Sequence, residues 1–321
     1  MMRWLAFAFG DRRAQIEVMA PIVFHPAYDA PMPPGHRFPM GKFAALARMI
    51  EAEGLAGPHG FHRPDLASAE HLCLAHDPAY VQAVLSAQVE PAVARRIGLP
   101  ITPEVAMRAQ AATGGTLLTA RLALTEAVAC NTAGGSHHAS HQEGAGFCVF
   151  NDVAVAAHVL LAEGRVRQIL VVDLDVHQGD GTARIFERDP RVFTFSMHAA
   201  KNFPVRKALS DLDIELEDGI EDADYLMRLN DILPSLIRRV RPDLVFYIAG
   251  VDAHRDDRLG RLNLSDQGLE AREAMVLDAA LSRGVPVAGV LGGGYDSDVE
   301  RLAARHIWLH RAAALAHARW R

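Results

Sequence analysis

Short apolar runs alternate with longer amphipathic stretches along most of the chain. The run ILVVDLD at 169–175 is apolar almost without alternation until its end, which is typical of a strand covered on both faces. Apolar runs of this kind, bounded by polar or glycine-rich segments, predict strands. The predicted strands are Ile22–His25, Ala127–Thr132, Gln168–Asp175, Val192–His198, Asp243–Ala249 and Val285–Leu291.

Helical periodicity fills the stretches between these runs. Thr102-Pro103 and Ser265-Asp266 are typical of helix starts, whereas Gly54 and Gly164 are typical of helix ends. Strands that alternate with helices predict an α/β fold with a single-domain, doubly wound, mainly parallel sheet and helices on both faces. The predicted helices span roughly 40–53, 78–88, 103–126, 151–163, 222–239, 265–283 and 298–319.

The N-terminus carries a short apolar segment, residues 4–10, that charged residues follow at once. It is too short to span a bilayer, and a signal peptide needs a longer apolar region. We expect either that Met19 is the natural start or that residues 1–18 are a loosely attached extension. Residues 19–321 are expected to form one catalytic domain, without a membrane segment.

Composition narrows the class of protein. The 321 residues carry a formal net charge of −6 and no lysine or arginine block, whereas a dedicated nucleic-acid binder usually has a concentrated basic face. The three cysteines are scattered and show no CxxC spacing. We therefore expect no disulfide framework and a reducing, cytoplasmic location.

Polar side chains follow four of the predicted strands. In a doubly wound sheet the ligand site lies beyond the carboxyl ends of the strands, so these side chains are expected to meet there. That convergence is the main sequence indication of a catalytic site. The residues are His137 and His138 after the second strand, Asp173, Asp175 and His177 after the third, Asp252 after the fifth and Tyr295 after the sixth.

A metal site is the first hypothesis for this convergence. Asp173, Asp175 and His177 are spaced by two, so on an extended backbone their side chains leave the same face. Asp175 and His177 can then bind one ion, with Asp252 as a third ligand. Two carboxylates and one imidazole suit Zn²⁺ or Fe²⁺ and leave a coordination position open. The alternative is that these acidic residues only cap the following helix.

Adjacent histidines are unusual as purely structural residues, because each buried imidazole needs its own partner. The pair therefore favours acid–base chemistry. Hydrolysis of an amide needs a base for the attacking water and an acid for the leaving amine. Asp173 and Asp180 are the nearby carboxylates that could back the imidazoles. Tyr295, after three glycines, could donate a hydrogen bond to an oxyanion.

Five motifs occur in order: GGSHHASHQEGAGFCVFND, VVDLDVHQGDGT, SMHAAKNFP, AGVDAHRDDRLGRLNLS and LGGGYD. Together they resemble the histone deacetylase family of the arginase–deacetylase fold, from about residue 22 to the C-terminus. The stretch RRIGLPITPEVAMRAQAATGGT and the KNFP turn are similar to the class IV and bacterial branch.

The resemblance implies roles for individual residues. Asp175, His177 and Asp252 would bind zinc, and a structural potassium ion would lie near Asp173, Asp175, His177, Ser196 and Met197. His138 would be the general base and acid, with His137 as its electrostatic partner. The remaining implied residues are Asp173 and Asp180 behind the histidines, Tyr295 on the acyl carbonyl, Gly146, Phe147, Phe203 and Gly293 around the substrate, and Arg37 at an inner cavity.

The implied substrate is an acylated lysine in a protein or peptide, or a small acylated amine, and hydroxamates are expected to inhibit. Two departures stand out: Gln178 replaces a second histidine that many members have, and residues 78–103 lack a clear counterpart of the class I loop aspartate. The second departure weakens the case for a histone substrate.

Two other functions fit parts of the sequence. A ureohydrolase with two manganese ions shares the fold, and Asp252-Ala-His254-Arg-Asp256 matches its DAHxD pattern. The tandem histidines and the Gly-Gly-Gly-Tyr segment have no role in that mechanism. A non-catalytic acyl-lysine reader would be expected to have lost a ligand, a histidine or Tyr295, and all of these are present.

Overall fold

The computed structural model describes residues 19–320, so the predicted N-terminal extension lies outside the described residues. Seven strands form one sheet in the order β1-β2-β7-β6-β3-β4-β5, and every neighbouring pair is parallel. The strands are β1 (Ile22–Val23), β2 (Val128–Asn131), β3 (Ile169–Asp173), β4 (Val192–Ala199), β5 (Leu212–Leu216), β6 (Leu244–Ile248) and β7 (Val287–Val290). The predicted doubly wound α/β fold is confirmed.

All six predicted strands are present, and β5 is the one that the pattern missed. Its sequence LDIEL alternates, and four of its five residues are only partly buried or exposed. It pairs with β4 alone, at the edge of the sheet. Each of the five β3 residues is buried, in contrast, which is why its continuous apolar run was easy to recognise.

The seven predicted helices are present, with shifts of a few residues at their ends. Three short helices were not predicted: α2, α4 and α7. The predicted starts are confirmed by side-chain caps, since Thr102 accepts from Val105 N–H and Ser265 from Gly268 N–H. The helices are α1 (Lys42–Ala52), α2 (Ala69–Leu72), α3 (Pro78–Leu85), α4 (Pro91–Ile97), α5 (Pro103–Glu126), α6 (Asp152–Ala162), α7 (Asp180–Phe186), α8 (Asp222–Val240), α9 (Asp266–Leu281) and α10 (Val299–Trp320).

The core lies between the sheet and its helices. Both α5 and α10 pack on β2, α5 also packs on α6, and α1, α10, α9 and α8 pack in series. Burying one valine, leucine or isoleucine side chain contributes about 1.5–3 kcal/mol, so the fully buried strands are a major stabilising term. In the described part of the chain, no helix is both long and apolar enough to cross a membrane.

The strand order places a topological switch between β3 and β6. From β3 the chain continues outward to β4 and β5, whereas from β6 it continues the other way to β7. The two strands run side by side until Asp173 pairs with Ile248, and their chains separate beyond that point. In open α/β sheets such a crevice at the carboxyl ends is the usual ligand site.

Candidate active site

The chain turns sharply where β3 ends, so the prediction of an extended backbone through His177 is wrong. Regular strand structure stops at Asp173. The Asp173 carboxylate accepts from the Asp175 N–H at 3.2 Å, and the Asp175 carboxylate accepts from the His177 N–H at 2.9 Å. These bonds from side chain to backbone compete with the strand ladder and form two successive Asx turns.

The turn nevertheless brings the three predicted ligands together. Donor atoms of Asp175, His177 and Asp252 lie within 4.8 Å of one another, and all three residues are buried. His177 Nδ1 is 3.0 Å from a carboxylate oxygen of Asp175 and 3.0 Å from one of Asp252. Burial lowers the pKa of His177, but the carboxylates outweigh burial and raise it to about 10. The site therefore favours positive charge between the two carboxylates.

The donor set fits a divalent cation. Two carboxylates and one imidazole nitrogen match the charge and the ligand preference of Zn²⁺ and Fe²⁺. Gly293, predicted to contact substrate, lies against these ligands: its N–H donates to Asp175 Oδ2 at 2.6 Å. A Cβ atom at Gly293 would collide with the Asp252 carboxylate, so only glycine fits there.

Each of the adjacent histidines has its own carboxylate, as predicted. His137 Nδ1 lies 2.6 Å from Asp173 Oδ2, and His138 Nδ1 lies 2.8 Å from Asp180 Oδ1. The two imidazole rings are 4.2 Å apart, and both residues are buried. The His137 ring also lies 3.8 Å from an oxygen of Asp175, which joins the pair to the ligand cluster.

The two imidazoles differ in charge. Burial lowers the pKa of His137, but Asp173 and Asp175 outweigh burial and raise it to about 9. Burial and the neighbouring His137 charge lower the pKa of His138 to about 4. At neutral pH His137 is therefore charged, whereas His138 is neutral and able to accept a proton.

Aromatic side chains surround the histidines. The Phe203 ring packs edge-on against His138 with centroids 4.8 Å apart, and Phe147 lies 5.8 Å from the ring of Tyr295. Burial raises the pKa of Tyr295 well above its usual range, so its phenol keeps its hydrogen. Gly146 has φ +54°, and a Cβ there would lie 2.6 Å from the His138 ring. Of the predicted substrate-facing residues, Gly146, Phe147 and Gly293 line one cleft together with Tyr295 and the two histidines, whereas Phe203 reaches it by its contact with His138.

Ser196 and Met197, the other residues named for potassium, are buried on β4. Ser196 pairs in register with Asp173, and its hydroxyl lies 2.9 Å from His198 Nδ1. Asp173 and Ser196 are therefore neighbours as the resemblance implied, and the potassium ion itself stays a prediction.

Asp152 was not assigned a role by sequence reasoning, although it shapes the histidine loop. Its carboxylate accepts from the N–H groups of Gly135 and Ser136 at 3.0 and 2.7 Å and from the Thr116 hydroxyl at 2.5 Å. These bonds fix the turn that leads from β2 to the histidines. An aspartate that is the first residue of α6 gives no sequence signal of this role.

Two buried cations near the cleft were also missed. The resemblance assigned Arg37 to an inner cavity, but Arg37 is exposed, and Lys42 and Arg108 are the buried cations beside Phe43. Lys42 Nζ lies 3.3 and 3.4 Å from the carbonyl oxygens of Gly292 and Gly294. Lys42 shares a helical face with buried Ala45 and Leu46, and this was the only sequence sign that it is buried.

Gln178, which stands where many family members have a second histidine, connects the segment after His177 to the loop around Ala208. Its amide nitrogen donates to Ala208 O and Asp213 Oδ1, and its amide oxygen accepts from Ala208 N–H. Lys207 donates to the carbonyls of Asn202 and Pro204 in the same loop. The loop that carries Phe203 is therefore held to the segment that follows Asp175 and His177.

Comparison with known proteins decides which family this site belongs to. Residues 36–310 match the histone deacetylase domain. This chain belongs to the histone deacetylase family. It is accordingly a hydrolase with deacetylase-type activity, built on the arginase–deacetylase fold.

Several relatives of this histone deacetylase family member span nearly its whole length. An uncharacterised protein of Picosynechococcus sp. is 50% identical over 293 residues, covering 91% of this chain and 98% of that protein. A probable deacetylase of Methanothermobacter thermautotrophicus is 30% identical and covers 86% of each chain. Histone deacetylase 2 of Arabidopsis thaliana is 27% identical, covering 85% of this chain and 73% of that protein.

A solved structure is similar in fold. The crystal structure of the HDA15 HD domain superposes with a TM-score of 0.78 at 23% sequence identity, covering 92% of this chain and 89% of that one.

The DAHxD pattern of the ureohydrolase alternative does not supply a second ion site. His254 is buried, and its Nδ1 accepts from Asp256 N–H at 3.1 Å. Among the residues that the structure describes, Asp175, His177 and Asp252 are the one group of three side chains arranged to hold an ion. A pair of manganese ions would need further bridging carboxylates.

Proposed function

We propose that this chain is a zinc-dependent deacylase that hydrolyses the amide of an acyl-lysine or of a related acylated amine. One observation carries the proposal: two imidazoles, each hydrogen-bonded to a carboxylate, lie beside a buried Asp-His-Asp cluster, and the Phe203 ring packs against one of them. Amide hydrolysis needs a base, an acid and an electrophile at one point, and this cleft provides a group or a ligand set for each.

Asp175, His177 and Asp252 would hold the metal through two carboxylate oxygens and one imidazole nitrogen. Three protein ligands suit a catalytic zinc site, because a structural site usually uses four. Bound zinc would polarise the scissile carbonyl and make an attacking water more acidic. Fe²⁺ would suit the same donors.

His138 is the residue placed to move a proton. A carboxylate only accepts hydrogen bonds, so Asp180 fixes the His138 hydrogen on Nδ1 and leaves Nε2 as the acceptor. Nε2 would take a proton from the attacking water and return it to the leaving amine. His137, held by Asp173, would stabilise the negative charge that develops nearby.

Tyr295 and Gly146 would orient the amide. The phenol O–H of Tyr295 would donate to the acyl oxygen as charge develops there, which is the role of an oxyanion donor. The Gly146 carbonyl would accept the substrate N–H. Phe147 and Phe203 would cover the apolar methylene groups of the acylated side chain, which agrees with their position around His138 and Tyr295.

The test combines metal content with hydrolysis of a fluorogenic acetyl-lysine substrate, with and without a hydroxamate. We expect about one zinc ion per chain, since the described residues contain one three-residue cluster, and deacylation that a hydroxamate blocks. Asp252→Ala should lose both metal and activity, whereas Asp218→Ala, which removes an acidic residue that pairs with Lys201 and Arg261 near the protein surface, should retain both.

Two results would oppose the proposal. Full zinc content in Asp252→Ala would remove Asp252 from the ligand set. Two manganese ions, no deacylation and release of urea from a guanidino compound would instead establish the ureohydrolase alternative. If deacylation is found, a comparison of acetyl with longer acyl chains would define the acyl group that the cleft prefers.

A further inference from the structure

Arg272 is the largest side chain that is fully buried in the described structure. It lies on α9, and its guanidinium reaches the ends of two neighbouring strands. Nη1 donates to Leu174 O at 3.2 Å and to Gly250 O at 2.7 Å. This nitrogen carries two hydrogens, so one hydrogen is available for each carbonyl.

Both carbonyls belong to the segments that carry metal ligands. Leu174 directly precedes Asp175, and Gly250 lies two residues before Asp252. The carbonyls follow the last register pair of β3 and β6, at the point where the two chains separate. Arg272 therefore links the two strand ends where the ladder between them stops.

The guanidinium is itself held in place. Nη2 donates to Glu273 Oε1 at 2.5 Å, and the Tyr247 hydroxyl on β6 donates to the other oxygen of Glu273. Arg272 and Glu273 are both buried, at 0% and 1% exposure. A buried ion pair often adds little net stability compared with apolar residues of similar size. Overall stability alone is thus a weak explanation for placing this pair behind the cluster.

We propose that Arg272 is a positioning residue that sets the spacing of Asp175 and Asp252 and thereby the metal affinity of the cluster. The inference rests on the proposed function, because it assumes that the cluster binds a metal ion. The hydrogen bonds of Arg272 go to two backbone carbonyls and to Glu273, so it would act through the backbone of the two ligand segments. Groups outside the ligand set that orient ligands typically change metal affinity about 10- to 100-fold when they are removed.

The experiment measures zinc dissociation constants by competition with a chromogenic chelator, together with the melting temperature of each protein without metal. Arg272→Lys keeps the charge but loses the planar guanidinium that joins both carbonyls to Glu273. Arg272→Met with Glu273→Gln removes both charges, so no unpaired buried charge remains, and Tyr247 keeps an acceptor. Each variant should bind zinc about 10- to 100-fold more weakly than the wild type.

Arg305→Lys is the matched control. Arg305 is also a buried arginine, at 3% exposure, and it pairs with Asp296 and Asp256. Its hydrogen bonds go to side-chain carboxylates, whereas Arg272 also donates to two backbone carbonyls. This control should lower the melting temperature while zinc affinity stays within about twofold, since it keeps the positive charge and the partners of Arg305 are carboxylates outside the ligand set.

The outcomes separate the two proposals. If the wild type binds no divalent metal, the proposed function fails and this inference fails with it. If the wild type binds zinc and a folded Arg272 variant binds it equally well, only the inference is overturned. If both Arg272 variants fail to fold, Arg272 has a general structural role and the positioning role is rejected.

Discussion

Asp180→Asn tests whether the carboxylate behind His138 assists proton transfer. The substitution keeps the size of the side chain but removes the charge that lies 2.8 Å from His138 Nδ1. A hydrogen bond to a charged group contributes about 1.5–3 kcal/mol, and it matters most when His138 has taken up the proton. At about 1.4 kcal/mol per factor of ten, kcat should fall about 10- to 100-fold.

The assay is steady-state deacylation of acetyl-lysine by Asp180→Asn, with zinc content measured on the same sample. Zinc content should not change, because Asp180 is not part of the ligand cluster. Asp180 also pairs with Arg184, whose side chain is 46% exposed, so Arg184→Met is the control. The arginine removed is the solvent-exposed end of this pair, and Asp180 keeps its bond to His138, so the loss should be about 1 kcal/mol or less and this variant should stay within a few-fold of the wild type. A folded, zinc-loaded Asp180→Asn enzyme with wild-type kcat would refute the reasoning.

Three further predictions follow from the same structure. Tyr295→Phe should lower turnover about 100-fold with zinc retained, because it removes one oxyanion donor, and unchanged turnover would exclude that role. Gln178→Ala should release the loop that carries Phe203, so KM should rise several-fold while zinc content stays constant. Substrate titration measures KM, and an unchanged KM would show that the loop is held without Gln178. Burial lowers the pKa of His76 to about 4, so the unfolded chain, with a pKa near 6.5, binds the proton more readily. The free energy of unfolding is therefore at its full value above about pH 6.5 and falls as the pH drops towards 4; between pH 7.5 and 5 this one group should lower it by about 2 kcal/mol. Urea unfolding at several pH values measures this dependence, which should be smaller in His76→Gln. An identical pH profile in the variant would contradict the prediction.

Buried segments of the fold were predictable because their patterns are local. The run at β3 is apolar throughout, and the caps at Thr102 and Ser265 use side chains three residues from their partners. The edge strand β5 was missed because its partial exposure leaves a weak pattern. Local chemistry also caused the one wrong backbone prediction, since the Asp173 carboxylate captures the N–H of Asp175 and ends the strand early.

Residues that act through distant partners could not be predicted in the same way. The metal ligands and the histidine pair belong to distinctive motifs, so the sequence alone indicated them. Lys42 and Arg272, by comparison, form hydrogen bonds with carbonyls that lie 250 and 98 residues away in the chain. Only the strand order brings these groups together, and no local spacing encodes them.

The position of β7 has a consequence for how the enzyme is made. Within the described sheet, β1 and β2 join the other strands through β7, which follows all of them in the chain. The histidine pair follows β2, whereas the proposed metal ligands follow β3 and β6. The two halves of the site thus remain without a connecting strand until Val290 has left the ribosome. The site can therefore assemble only after β7 has been made, so a chain truncated before β7 would carry Asp175, His177, Asp252 and both histidines without bringing them together.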